Sequence, residues 1–133
     1  MKRIVSGLLI AAIGCLAADS GDIVTIYQGG KKVVLRAIAP EANISGVKWY
    51  KFDKNGAVIG IRKRVIAKPA KGHECTEAYE ILQDTGIEIR GLENFSGFCI
   101  IEVENADEVI KAANTLYESE AFSIAEPNFL QKR

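Results

Sequence analysis

The sequence predicts an α+β fold, an antiparallel sheet with two helices packed on one of its faces. Three observations predict it. The hydrophobic spacing switches from alternation to a spacing of three and four, back again, and then repeats the change. From Ala57 onward the elements read strand, helix, strand, strand, helix, strand. Each predicted helix has a single apolar stripe, so both must cover the same face of the sheet.

A chain of 133 residues with 48% hydrophobic content has the size and composition of one globular domain rather than a disordered segment. Its 17 basic and 17 acidic side chains cancel, which removes any overall electrostatic footprint for nucleic acid.

The first residues read as an export signal. Met1-Lys2-Arg3 is a charged start, and Ile4 to Gly14 is an apolar run too short to span a bilayer. Two cleavage readings stand side by side. Ala12-Ile13-Gly14-Cys15 has the form of a bacterial lipobox and would leave Cys15 as a lipidated N-terminus. The small residues around Cys15-Leu16-Ala17-Ala18 suit ordinary signal peptidase. Residues 1–18 are therefore expected to be a signal segment. The protein is expected to be exported, either secreted or held as a periplasmic or cell-surface lipoprotein by lipid alone. In an oxidising compartment, Cys75 and Cys99 form an even pair that can close a disulfide; the other reading is two buried thiols.

Residues 19–56 read as a β-hairpin region. Ile23 to Tyr27 and Lys31 to Arg36 flank Gln28-Gly29-Gly30, a hairpin signal. A loop with Pro40 follows, then alternation over Val47 to Asp53 and a turn at Lys54-Asn55-Gly56.

Residues 57–129 read as the main domain. Ala57 to Ala67 is a long strand, and Lys68 to Gly72 a loop. Cys75, Ala78, Tyr79 and Leu82 fall on one helical face, with Thr76 as a cap and Gly86 after the end. Ile87 to Arg90 and Phe98 to Glu104 are strands joined by a turn. Asn105 and Glu108 have capping-box spacing, and Ala106, Val109, Ala113, Leu116 and Tyr117 make the stripe of the second helix. Phe122 to Ala125 is a short last strand, which Pro127 is expected to stop. Residues 130–133 are then a free tail.

This order is the split βαβ pattern of a ferredoxin-like sandwich, βαββαβ, preceded by N-terminal hairpins. Alternation sends Ile59, Ile61, Val65, Ile87, Ile89, Cys99, Ile101 and Val103 inward. It leaves Arg62, Arg64, Glu88, Arg90, Phe98, Ile100 and Glu102 on the opposite face. The N-terminal hairpins could cover Phe98 and Ile100, or these could form a partner surface.

Catalytic patterns are lacking. The single histidine, His73, reads as a surface residue rather than a metal ligand. No nucleophile elbow or phosphate loop appears. The expectation is a binding protein without cofactor or metal, monomeric when free, and not an enzyme.

Four segments resemble the prodomain of secreted bacterial subtilisin-type serine proteases. They are Thr76 to Ile87, Phe95-Ser-Gly-Phe98, Ala106 to Glu118, and Phe122-Ser-Ile-Ala-Glu-Pro-Asn-Phe129. The resemblance covers about Ala57 to Phe129, and the Ala-Glu-Pro-Asn-Phe ending is its most specific piece. More loosely, Tyr27 to Val33 resembles the hairpin that opens some of these proproteins. The resemblance implies a ferredoxin-like sandwich whose open sheet face packs on two surface helices of the protease. It also implies a C-terminal tail lying in the substrate cleft like a bound product. Carried over, the sheet-face interface is Arg62, Arg64, Arg90, Phe98 and Ile100. The protease-binding tail is Glu126, Pro127, Asn128, Phe129, Leu130, Gln131, Lys132 and Arg133. Since the chain ends at Arg133 where a prodomain would lead into a catalytic domain, three expectations stand: a free-standing protease inhibitor, which is the simplest, an assistant to a protease encoded elsewhere, or a remnant with a new binding role. The alternatives are a surface interaction module of the same fold and an inhibitor of a cysteine protease.

Overall fold

Seven antiparallel strands in one sheet and two α-helices make up the described residues, 23–39 and 46–131 of a computed structural model. The expected signal segment, with Cys15, lies outside them, as do the loop at Pro40 and the pair Lys132 and Arg133.

Strands β1 (Ile23–Gln28) and β2 (Lys31–Ala37) form the first hairpin, with Gln28 opposite Lys31. Gly29 and Gly30 both have positive φ, 61° and 81°, which a two-residue turn matching the strand twist requires. Strand β3 (Lys48–Phe52) pairs with β2, then turns into β4 (Val58–Pro69). In that turn the Ala57 N–H donates to Asn55 Oδ1 at 2.9 Å.

Helix α1 (Glu77–Gln83) buries Ala78 and Leu82. Tyr79, expected on its apolar stripe, is instead 49% exposed, because so short a helix buries only a narrow strip. Thr76 stands at the N-cap without a side-chain bond. The first N–H groups instead bond back to carbonyls, Glu77 to Glu74, Ala78 to Cys75 and Tyr79 to Thr76, and the Glu77 carboxylate accepts from the Glu74 N–H at 2.7 Å. Strands β5 (Ile89–Phe95) and β6 (Phe98–Val103) form a tight hairpin. A 3-10 turn over Ala106–Glu108 leads into α2 (Val109–Glu118), where the expected capping bond from Asn105 is not made. Helix α2 buries Val109, Ile110, Ala112, Ala113 and Leu116. Its buried stripe is wider than the sequence reading because α2 packs on β4, β7 and β1 together.

The last strand, β7 (Phe122–Gln131), corrects the sequence reading. It does not stop at Pro127. It pairs with β4 from Phe122 to Gln131, so Leu130 and Gln131 belong to the sheet and not to a free tail. Two features tolerate the proline. β7 bonds to β4 alone and is an edge strand, and the β4–β7 register is irregular there. Ile61 faces Phe129 and Val65 faces Pro127, so β4 spends four residues where β7 spends two. Edge strands and bulges are where a residue without an N–H can sit in a sheet.

β4 organises the sheet. One side carries β7 along its length. The other side pairs first with β3, through Val58 to Ile61, and then with β6, through Arg64 to Ala67. The strands therefore run β7-β4-β6-β5 at one end, while β3, β2 and β1 extend from the other. Residues 19–56 and 57–129 thus share one sheet and one core as far as they are described. Ile26, Leu35, Tyr50 and Phe52 from β1–β3 are buried with Ile59, Ile61, Leu116 and Phe122.

Candidate functional site

Alternation along β4 and β6 creates two unlike faces. Ile59, Ile61, Val65, Cys99, Ile101 and Val103 are buried beneath the helices. Arg62, Arg64, Ile66, Phe98, Ile100 and Glu102 are exposed or half-buried on the outer face. The N-terminal strands do not fold over Phe98 and Ile100. They enter the sheet edge-on through β3, because the first half of β4 offers a free edge there.

The outer face is an apolar strip with charged margins. Ile66 lies directly opposite Ile100, which has Glu93 on its other side. Lys68 Nζ sits 5.8 Å above the Phe98 ring. Phe95, at the hairpin tip, is 66% exposed. Arg64 and Glu102, opposite each other, pair at 3.5 Å. Arg90 bonds to Glu104 and lies 3.7 Å from Glu88; the Glu104 carboxylate raises its pKa further above the ordinary guanidinium value. Its guanidinium is thus engaged within its own sheet. Arg62 makes no ion pair among the described residues and projects freely.

The expected tail residues are distributed along β7. Glu126 accepts a hydrogen bond from the Gly29 N–H at 3.0 Å and so ties the first hairpin turn to the last strand. Pro127 is buried. The Phe129 ring meets Phe52 edge-on, centroids 6.3 Å apart. Asn128 and Leu130 are half-buried, Leu130 opposite Gly60.

Cys75 and Cys99 are joined in a disulfide, with Cα atoms 5.8 Å apart, which fixes the start of α1 to the inner side of β6. His73 is exposed, and its Nδ1 lies 2.9 Å from Glu77 Oε1. That bond and the Glu74 N–H hold the Glu77 carboxyl below its ordinary pKa. Among the described residues no three His, Cys, Asp or Glu side chains converge as metal ligands.

A cleft of about 490 Å³ opens between α2 and the inner side of β1 and β3. Lys48 and Asp107 pair within it at 2.8 Å, and Asn114 Nδ2 donates to the Thr25 carbonyl at 2.8 Å. Tyr27 stacks on Tyr117 beside it and donates to Glu118 at 2.7 Å, which raises the Tyr27 pKa. These bonds close the free edge of β1 against α2.

A count over the whole chain missed one property. Ile23 to Pro69 holds ten Lys and Arg against two acids, whereas Ala70 to Arg133 holds five against thirteen. A regional count reveals the split.

No family model, no curated protein and no solved structure matches the chain.

Proposed function

We infer that this chain is an exported protease-binding protein of the subtilase-prodomain type, built on a ferredoxin-like sandwich. It docks through the outer face of β5, β6 and the second half of β4. One observation carries the reading: the strand order β7-β4-β6-β5, with helices on one side and Ile66, Phe98 and Ile100 on the bare side. A split βαβ with a bare apolar face rimmed by charges suits a partner surface. The resemblance in sequence supplies the partner, a subtilisin-type protease that would receive this face on two of its helices.

The pairing of β7 alters the mechanism that the resemblance implies. Through Gln131 the segment is bonded to β4, so its entry into a cleft would require β7 to peel away. Docking by the sheet face therefore comes first, and strand-like insertion of the end of β7 follows only on release. The same pairing favours a second reading, in which the outer face serves a non-protease partner and the strand never leaves.

Titration of the full chain against a panel of subtilisin-type proteases tests the first reading. Residual activity should fall with added protein, and Phe98→Asp with Ile100→Asp should weaken the effect about tenfold or more, as loss of a central apolar contact does. If no protease in the panel is bound or inhibited, the reading fails. Recovery of a non-protease partner by wild type but not by the double variant would establish the second.

A further inference from the structure

Charge is segregated in space as well as along the chain. The basic segment forms β1 to β4. The acid-rich segment forms the helices on the inner side, together with β5 and β6 beside the far half of β4. Because Leu35, Tyr50 and Ile61 point into the core, their neighbours Arg36, Trp49, Lys51 and Arg62 lie on the outer face.

Arg36 and Lys51 stand directly opposite each other on β2 and β3. Like charges so placed repel and weaken a sheet. Asp53 offsets this in part, 3.4 Å from Arg36, while Lys51 and Arg62 make no ion pair with a described residue. Exposed aliphatics sit among the cations: Ile23, opposite Arg36, is 58% exposed and Val34 37%. Trp49 lies against Gly60 at the centre.

We propose that this outer face of β1 to β4 docks on an anionic phospholipid surface. Cations among exposed aliphatics and a tryptophan are the composition of an interfacial contact, in which apolar groups enter the headgroup layer while the cations meet phosphate. The cations are spread over three neighbouring strands instead of converging on a point, which suits a diffuse anionic sheet better than a single acidic side chain. The acid-rich half would be repelled by the same surface, so the charge split also sets the orientation. The apolar run Ile4 to Gly14 precedes β1 by eight residues. Fully extended, such a linker spans at most about 28 Å, so a lipid on Cys15, the first of those eight residues, would keep β1 within reach of the headgroups. The inference is independent of any protease partner.

The chain has one tryptophan, so Trp49 is its own reporter. Full-length protein is titrated with vesicles of phosphatidylcholine alone and of phosphatidylcholine mixed with phosphatidylglycerol. The expected result is a shift of Trp49 emission to shorter wavelength and an affinity about tenfold higher for the anionic vesicles at low salt. That preference should shrink as salt screens it. Lys51→Glu with Arg62→Glu should abolish the preference and leave binding to neutral vesicles unchanged. Lys71→Glu with Lys111→Glu, which changes net charge equally elsewhere, should retain it. Lys51→Gln with Arg62→Gln should show the same loss at smaller amplitude, which guards against misfolding of the reversed pair. Equal affinity for the two vesicle types overturns the proposal, as does an equal loss in both charge-reversed variants. Retention on a polyglutamate column that depends on Lys51 and Arg62, without vesicle preference, assigns the face to an acidic protein and also overturns it.

Discussion

Trp49 and Gly60 face each other across β3 and β4, and the indole occupies the space that a side chain at position 60 would need. A Cβ built on Gly60 would lie 3.0 Å from the Trp49 ring and 2.7 Å from Val47 Cγ1. The glycine near the start of β4 is thus a place where one strand is covered by side chains at and before β3, at the point where β4 also pairs with Leu130.

Gly60→Ala should therefore destabilise the protein although alanine favours ordered backbone. Overpacking of this kind costs about 1–3 kcal/mol. Urea denaturation followed by Trp49 emission reads the loss, and the folded-state spectrum should shift to longer wavelength as the ring is lifted. An unchanged midpoint would contradict the close approach.

Phe129 should behave as a packing residue rather than as part of a tail. Truncation to alanine removes its contact with Phe52 and should cost about 2 kcal/mol. Amide exchange offers an independent check. Amides of β7 beyond Pro127 that bond to β4 should be protected, where a free tail would exchange at once.

The Cys75–Cys99 bond closes a loop with a sequence separation of 24. Replacing both cysteines by alanine should lower stability by about 3 kcal/mol on the chain-entropy account. Both cysteines are buried, so dithiothreitol should leave the native protein oxidised and reduce it rapidly only in denaturant. Mass spectrometry after alkylation distinguishes the two.

Glu77 gives the fold a defined acid response. Its carboxyl is held below the ordinary value, first by the bond with His73 and then by the Glu74 N–H. A depressed folded pKa contributes stability that is present above the unfolded value and lost as pH falls through the folded one. Glu77→Gln should thus lower the melting temperature near neutrality, and the difference from wild type should close as the pH drops below the usual carboxylate range. Thermal melts by circular dichroism across pH 2–7 check the sign; a difference that widens in acid would contradict it.

Much of the fold was legible in the sequence because local chemistry decided it. The hairpin at Gly29-Gly30 needs positive φ and neighbouring alternation, both written in adjacent residues. Inward and outward positions on β4 and β6 follow from a period of two. Pro127 was misread because the effect of a missing N–H depends on whether the strand has one neighbour or two, and no short stretch carries that information. Tyr79 was misread because helical spacing marks a face without saying how much of it the sheet can cover. The outer apolar strip at Phe98 and Ile100 was visible as a pattern, whereas the basic face around Arg36, Lys51 and Arg62 was hidden by a total that sums to zero.

By itself the sequence determined the kind and order of the elements, the two helical stripes and the side of the sheet on which each strand residue lies. These depend on interactions a few residues long. Tertiary structure decided what joins what: that β4 serves β3 and β6 in succession, that β7 remains bonded to it past Pro127, and that Arg36, Lys51 and Arg62 of three strands come to lie on one side. Pairing between distant strands sets those outcomes, because a backbone donor or a charge acquires its partner only when the chain has brought the other edge beside it.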